Sequence, residues 1–122
     1  MTQDIQSLVA AADAVVPRID ADEARTLIEA GAVLLDVREP PELAGGKLAG
    51  ALNIPRGDVA FLADPASPSH HPELSPDRTV VIYCAAGVRA ALAGLALHQL
   101  GYEAVYNLGG FSGAAASGFE VE

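Results

Sequence analysis

One cysteine stands in this chain of 122 residues, at position 84, and it is followed by Ala85, Ala86, Gly87, Val88 and Arg89. A free thiol becomes a nucleophile where its surroundings favour the thiolate. Thr79-Val80-Val81-Ile82-Tyr83 is β-branched and aromatic and predicts a strand; Arg89 to Leu100, rich in alanine and leucine, predicts a helix that Gly101 ends. Cys84 therefore falls where a strand hands over to a helix, the place where open α/β sheets hold their ligands. The N–H groups of Ala86, Gly87, Val88 and Arg89 have no partner within the helix and can converge on an anion, and the small residues at 85–87 let the backbone come close to it. These amides and the helix dipole favour the thiolate with no help from a histidine, which a Cys-His protease would need. A lone cysteine is more commonly a packing residue, and its position is what sets this one apart.

The elements that must hold this loop follow from the rest of the chain. Ile5, Leu8, Val9, Ala12, Val15 and Val16 recur at helical spacing up to Pro17, which predicts an amphipathic helix over about residues 3–15. Its polar positions Gln3, Asp4, Gln6 and Asp13 include no basic residue, so it is expected to pack on the domain and not to lie on a membrane. Asp20 is a natural N-cap for a second helix ended by Gly31, and the apolar run 32–37 predicts a strand buried on both faces, hence a parallel sheet. Pro40-Pro41 breaks the chain, Gly45, Gly46 and Gly50 punctuate a loop, residues 51–54 form a short strand, and 58–62 fit a short helix. Four of the eight prolines, with His70 and His71, fall between Asp64 and Arg78 and predict a long irregular loop. Ala104-Val105-Tyr106 predicts a further strand, Gly109-Gly110 a turn, and 111–117 a last short helix. The expected fold is a single α/β domain with a mainly parallel central sheet and helices on both faces: residues 1–17 form a packed N-terminal helix and 18–122 the domain proper.

Seven basic against 16 acidic residues give a formal charge of −9, which argues against nucleic acid or an anionic membrane as partner. A small anion remains compatible, since screening confines charge effects to roughly 8 Å. A single cysteine forms no internal disulfide and no multi-cysteine metal site. No apolar run approaches the roughly 20 residues of a membrane span, and the expected location is cytoplasmic. His70 and His71 lack the companions of a metal site, His98 lies on an alanine-rich helix, and Tyr83, Tyr102 and Tyr106 are expected as core or edge aromatics; neither metal nor cofactor is expected.

Asp36-Val37-Arg38-Glu39, the glycine-containing GKLAGALNIP (46–55), the loop Cys84 to Arg89 and Leu108-Gly109-Gly110-Phe111 follow one another along the chain. Through them, from about Ile19 onward, the chain resembles the rhodanese family: in that order they are similar to the signature at the end of its first core strand, its glycine-containing turn, its active-site loop and its closing turn. Residues 55–57 with 64–68 also resemble a group of bacterial single-domain members. The resemblance implies a sulfurtransferase in which Cys84 carries sulfur as a persulfide, taken from thiosulfate or a persulfide donor and passed to a thiol or to cyanide, with donor or acceptor being a small molecule or another protein. The loop residues 85–89 would bind the substrate, Arg89 adding positive charge, and Asp36 and Arg38 would support the framework. Lys47 stands where the family usually has histidine, Ala85 and Ala86 where basic and serine residues are frequent, and Ala114 where tryptophan is common, changes that keep the nucleophile and remove anion contacts.

Two other functions belong beside this one. Related folds hold phosphate or arsenate with a cysteine-arginine loop, but four residues separate Cys84 from Arg89, and the resemblance associates that shorter loop with sulfur. A noncatalytic protein-binding module is the other, favoured by the lost basic residues and opposed by the retained cysteine.

Overall fold

The computed structural model describes residues 4–122. The first helix, α1 (Ile5–Val15), is capped by Asp4, whose side chain accepts from the Ser7 N–H at 2.8 Å; Gln3, at the expected start, lies outside the described residues. Helix α2 (Ala21–Glu29) opens with a reciprocal capping box in which Glu23 N–H donates to Asp20 at 2.8 Å and Asp20 N–H to Glu23 at 3.1 Å. It feeds β1 (Val33–Asp36), which is buried throughout. The Pro40-Pro41 break becomes a 3-10 turn over Pro40–Gly45, and β2 (Leu52–Asn53) is a two-residue strand. Short α3 (Val59–Ala63), then β3 (Val80–Cys84), α4 (Val88–Gln99), β4 (Val105–Gly110) and α5 (Phe111–Ala116) complete the chain.

The four strands form one parallel sheet in the order β2-β1-β3-β4. Side chains alternate between its faces, as strand geometry requires. Leu35, Val80, Ile82 and Cys84 face Val59 and Ala63 of α3 and Ala90, Ala93 and Leu97 of α4, whereas Leu34, Val81 and Tyr83 face Ala24 of α2 and Ala114 of α5. Helix α1 lies on α4, where Gly94 provides the notch: a Cβ there would stand 2.8 Å from both methyls of Val16. No described helix is long and apolar enough to cross a membrane.

The structure departs from the sequence expectation at Gly109-Gly110. These residues form no turn that ends the strand; β4 continues through them, pairing Tyr83 with Gly109 and Cys84 with Gly110, after a bulge that leaves Leu108 unpaired. Gly109 has φ +99°, a conformation open to glycine, which lets the strand kink and resume. The 64–78 segment is irregular as expected but not loose: Leu74 is fully buried, the His71 N–H donates to Leu62 O at 2.8 Å, and the His70 ring reaches Leu74 O. His70 and His71 are accordingly half-buried, while His98 is exposed. Tyr83 and Tyr102 lie in the core and Tyr106 is half-buried.

Candidate active site

Cys84 is the last residue of β3 and is 1% exposed. Its parity with Val80 and Ile82 directs the side chain to the α4 face of the sheet, beneath the first turn of that helix. Of the four loop amides expected to converge there, Gly87 N–H is the one hydrogen-bonded to Sγ among the described residues, at 2.9 Å. Gly87 is the N-cap of α4 with φ +103°, which turns its N–H back toward Sγ. Ala85 and Ala86 are exposed and Val88 is 48% exposed, so the rim of the loop is small and apolar.

A buried side chain ties this loop to β4. Asn107 Nδ2 donates to Gly87 O at 2.9 Å, while Asn107 Oδ1 accepts the Gly109 N–H at 2.8 Å. Both halves of the amide are thus used, and the loop's position is fixed through the bulge.

Arg89, half-buried on the first turn of α4, does not project a free charge. Its Nη1 and Nη2 donate to the two carboxylate oxygens of Glu42 at 2.6 and 2.8 Å, a two-point pair across 47 residues of sequence. Glu42 comes from the 3-10 turn after β1, and its carboxyl is held down at about 2, first by Arg89 and then by the Glu39 backbone. The guanidinium is in turn pushed above its ordinary range by Glu42, with a smaller contribution from Cys84.

Asp36 and Arg38 form the frame beneath. The Asp36 carboxylate accepts from Arg38 N–H at 2.9 Å, from Arg38 Nε at 3.1 Å and Nη2 at 2.9 Å, and from Tyr83 O–H at 2.7 Å. Arg38 also donates to Gly46 O at 2.9 Å and lies over the Phe111 ring, 4.4 Å from its centroid. The Tyr83 hydroxyl accepts the Leu48 N–H at 3.0 Å, and burial, then Asp36, raises its pKa. The Asp36–Arg38 ion pair is buried. Lys47 lies away from any loop role: its Nζ bonds Ala51 O at 3.0 Å and the Glu122 carboxylate.

The sequence did not single out Glu42 or Asn107, and placed Tyr83 only as an aromatic. Glu42 followed two prolines in an expected loop, and Asn107 lay just past the expected strand 104–106. No group of His, Cys, Asp and Glu among the described residues is arranged to hold a metal ion.

A cysteine at a strand end, a glycine amide on its sulfur, and an arginine paired with the turn after β1 make a recognisable whole, and the model of the rhodanese-like domain matches residues 20–117. The chain belongs to the rhodanese-like family. Among similar proteins, the Bacillus subtilis protein YqhL is 38% identical over 81 residues, 66% of this chain and 58% of that protein. An Allochromatium vinosum sulfurtransferase is 38% identical over 78 residues, covering 64% of this chain and 65% of its own. A Xanthomonas campestris tRNA uridine(34) hydroxylase is 37% identical over 78 residues, 64% of this chain and 30% of the hydroxylase. The matched region thus spans less than two thirds of each of these three proteins. Among solved structures, a Rhodopseudomonas palustris protein described as a possible tyrosine phosphatase superposes with TM-score 0.88 at 30% identity, over 100% of this chain and 96% of that one. A rhodanese-related protein of Thermoplasma volcanium gives TM-score 0.67 at 33% identity, over 86% and 96%.

Proposed function

We propose that the protein is a sulfurtransferase in which Cys84 carries sulfane sulfur as a persulfide. The observation that supports this most directly is the Gly87 N–H on Sγ at 2.9 Å, a donor already aimed at the atom that would bear negative charge. The Cys84 thiolate attacks the outer sulfur of thiosulfate. The new Sγ–S bond forms as the sulfur–sulfur bond of the donor breaks, and sulfite leaves with the electron pair. In the second half an acceptor thiolate, or cyanide, attacks the terminal sulfur, and the Sγ–S pair returns to Cys84 as thiolate. With a persulfide donor the leaving group is the donor's own thiolate. Charge and electrons balance with no external oxidant, and no cofactor is invoked.

In this reading Ala85, Ala86, Gly87 and Val88 frame the terminal sulfur, Arg89 fixes the helix start through Glu42, and Asp36 and Arg38 support the loop after β1. The description of the Rhodopseudomonas relative raises phosphoryl transfer as a second chemistry, but four residues separate Cys84 from Arg89, and the resemblance to the rhodanese family associates that shorter loop with sulfur. The neutralised Arg89 and the apolar rim favour a persulfide relay with slow turnover of free thiosulfate, and a reducing, cytoplasmic setting suits the single free thiol. Intact-mass measurement after incubation with thiosulfate, and separately with a protein persulfide donor, tests the reading: Cys84 is expected to gain the mass of one sulfur atom from at least one. Gain from neither, with an intact fold, would leave a noncatalytic binding module as the better description.

A further inference from the structure

The loop after Cys84 lies between two arginines that approach from opposite flanks of the sheet. Arg89, toward β1, is neutralised by Glu42. Beyond the outer edge of β4, residues 17–19 run alongside it: Asn107 N–H donates to Pro17 O at 2.9 Å, Ile19 N–H donates to Asn107 O at 3.1 Å, and Arg18 bridges to Asn107 in parallel fashion. This lays the exposed Arg18 side chain across the two glycines of the site. A Cβ on Gly109 would stand 2.6 Å from Nη2 and one on Gly87 3.2 Å from Nη1, so the absence of side chains at 87 and 109 is what admits the guanidinium. Gly87 is the residue whose N–H meets Sγ, and tracing the contacts through it puts the guanidinium no more than about 9 Å from Cys84 Sγ.

Of the seven basic side chains, five are held by carboxylates: Arg25 by Asp22, Arg38 by Asp36, Lys47 by Glu122, Arg78 by Glu73 and Arg89 by Glu42. Arg18 and Arg56 have no such partner among the described residues, and Arg18 is the one seated on the cradle. In a chain of formal charge −9, this uncompensated cation about one screening length from Cys84 adds positive potential at the sulfur.

We propose that Arg18 is the specificity-determining residue that draws anionic sulfur donors to Cys84, supplying from the β4 flank the charge that Ala85 and Ala86 do not. The donor class rests on the sulfurtransferase reading; the field at the sulfur does not. The test compares alkylation of Cys84 by iodoacetate, an anion, with that by neutral iodoacetamide, in the wild type and in Arg18→Ala, Arg18→Lys and Arg56→Ala. Both reagents consume the thiolate, so the ratio of their rates cancels its fraction and reports potential alone. A unit charge at this distance, in a medium between water and a protein surface, predicts a fall of about two- to fivefold in the ratio for Arg18→Ala. The ratio should be retained in Arg18→Lys and the difference should shrink with added salt. Thiosulfate carries two charges, so kcat/KM for it should fall by about the square, roughly four- to twenty-fivefold, while transfer from an uncharged persulfide donor stays within twofold. An unchanged ratio in Arg18→Ala would overturn the proposal whether or not sulfur is transferred. So would a fall confined to Arg56→Ala, which would move the role to the β2 flank. A ratio that falls in a protein that takes sulfur from no donor would overturn the donor assignment and the sulfurtransferase reading together.

Discussion

Glu42 grips Arg89 with both carboxylate oxygens, at 2.6 and 2.8 Å, so the arginine that ends the cysteine loop is a tether and not a free charge. The pair joins the turn after β1 to the first turn of α4, next to the Cys84 loop. Because the Glu42 carboxyl is lowered to about 2 when folded, against about 4.3 in an unfolded chain, its contribution to stability is fully present above about pH 4.3 and is lost as the pH falls toward 2. Glu42→Gln should therefore melt below the wild type at pH 7, and the two curves should converge between about pH 4 and pH 2. Thermal melts across that range check it, and a constant gap down to pH 2 would show that the charge on Glu42 contributes nothing.

Cys84→Ser should abolish sulfur transfer and leave the fold in place. Serine is close in size, and its hydroxyl still accepts the Gly87 N–H, but it cannot form a persulfide. Intact mass after donor treatment, with circular dichroism alongside, is the measurement; sulfur retained by the variant would remove Cys84 from the mechanism.

The parts of this site that sequence made legible are local ones. The β-branched run before Cys84, the small residues after it and the Asp20 N-cap each declare themselves within a few neighbours. What stayed hidden joins residues far apart. Glu42 and Arg89 are separated by 47 positions, as are Asp36 and Tyr83, and Asn107 reaches Gly87 across 20. Periodicity carries no record of such pairs, and a glycine pair that usually marks a turn gives no sign that it will continue a strand through a bulge.

The Asp36 cluster yields a graded prediction. Tyr83→Phe removes the donor to Asp36 and the acceptor for the Leu48 N–H, which should cost about 1–3 kcal/mol. Asp36→Ala leaves the Arg38 guanidinium buried without its partner, and the loss should be larger, about 3–5 kcal/mol. Urea denaturation ranks them; equal losses would mean that the carboxylate matters only as a partner for the phenol.

Placing a lysine at Ala85 should lower the Michaelis constant for thiosulfate. The position is exposed on the rim of the loop, and a charge there adds to the field without disturbing the core. A drop of about four- to twenty-fivefold that fades with salt is expected, by the same charge–distance reasoning as for a single cation acting on a dianion near the sulfur. An unchanged constant at low salt would mean that loop charge does not limit binding.

Gly110 should prove less replaceable than its backbone angles suggest. Its φ is −105°, which any residue can adopt, so the obstacle to a side chain is not conformational. A Cβ there would instead stand 2.5 Å from Ala85 O and 3.2 Å from Ala85 C, both backbone atoms of the cysteine loop, with no flexible side chain to yield. Either β4 or the loop must move, and the loop holds the Gly87 amide that meets Sγ. Gly110→Ala is therefore expected to impair sulfur transfer at least tenfold, since misplacing a reacting group by about 1 Å can cost about a hundredfold. Gly113 provides the contrast within α5: a Cβ there meets nothing within 4 Å, so Gly113→Ala should raise stability by about 0.5–1 kcal/mol and leave transfer unchanged. Measuring both variants for melting temperature and persulfide formation separates the two effects, and full activity in Gly110→Ala would show that the Ala85 carbonyl can retreat without disturbing the sulfur.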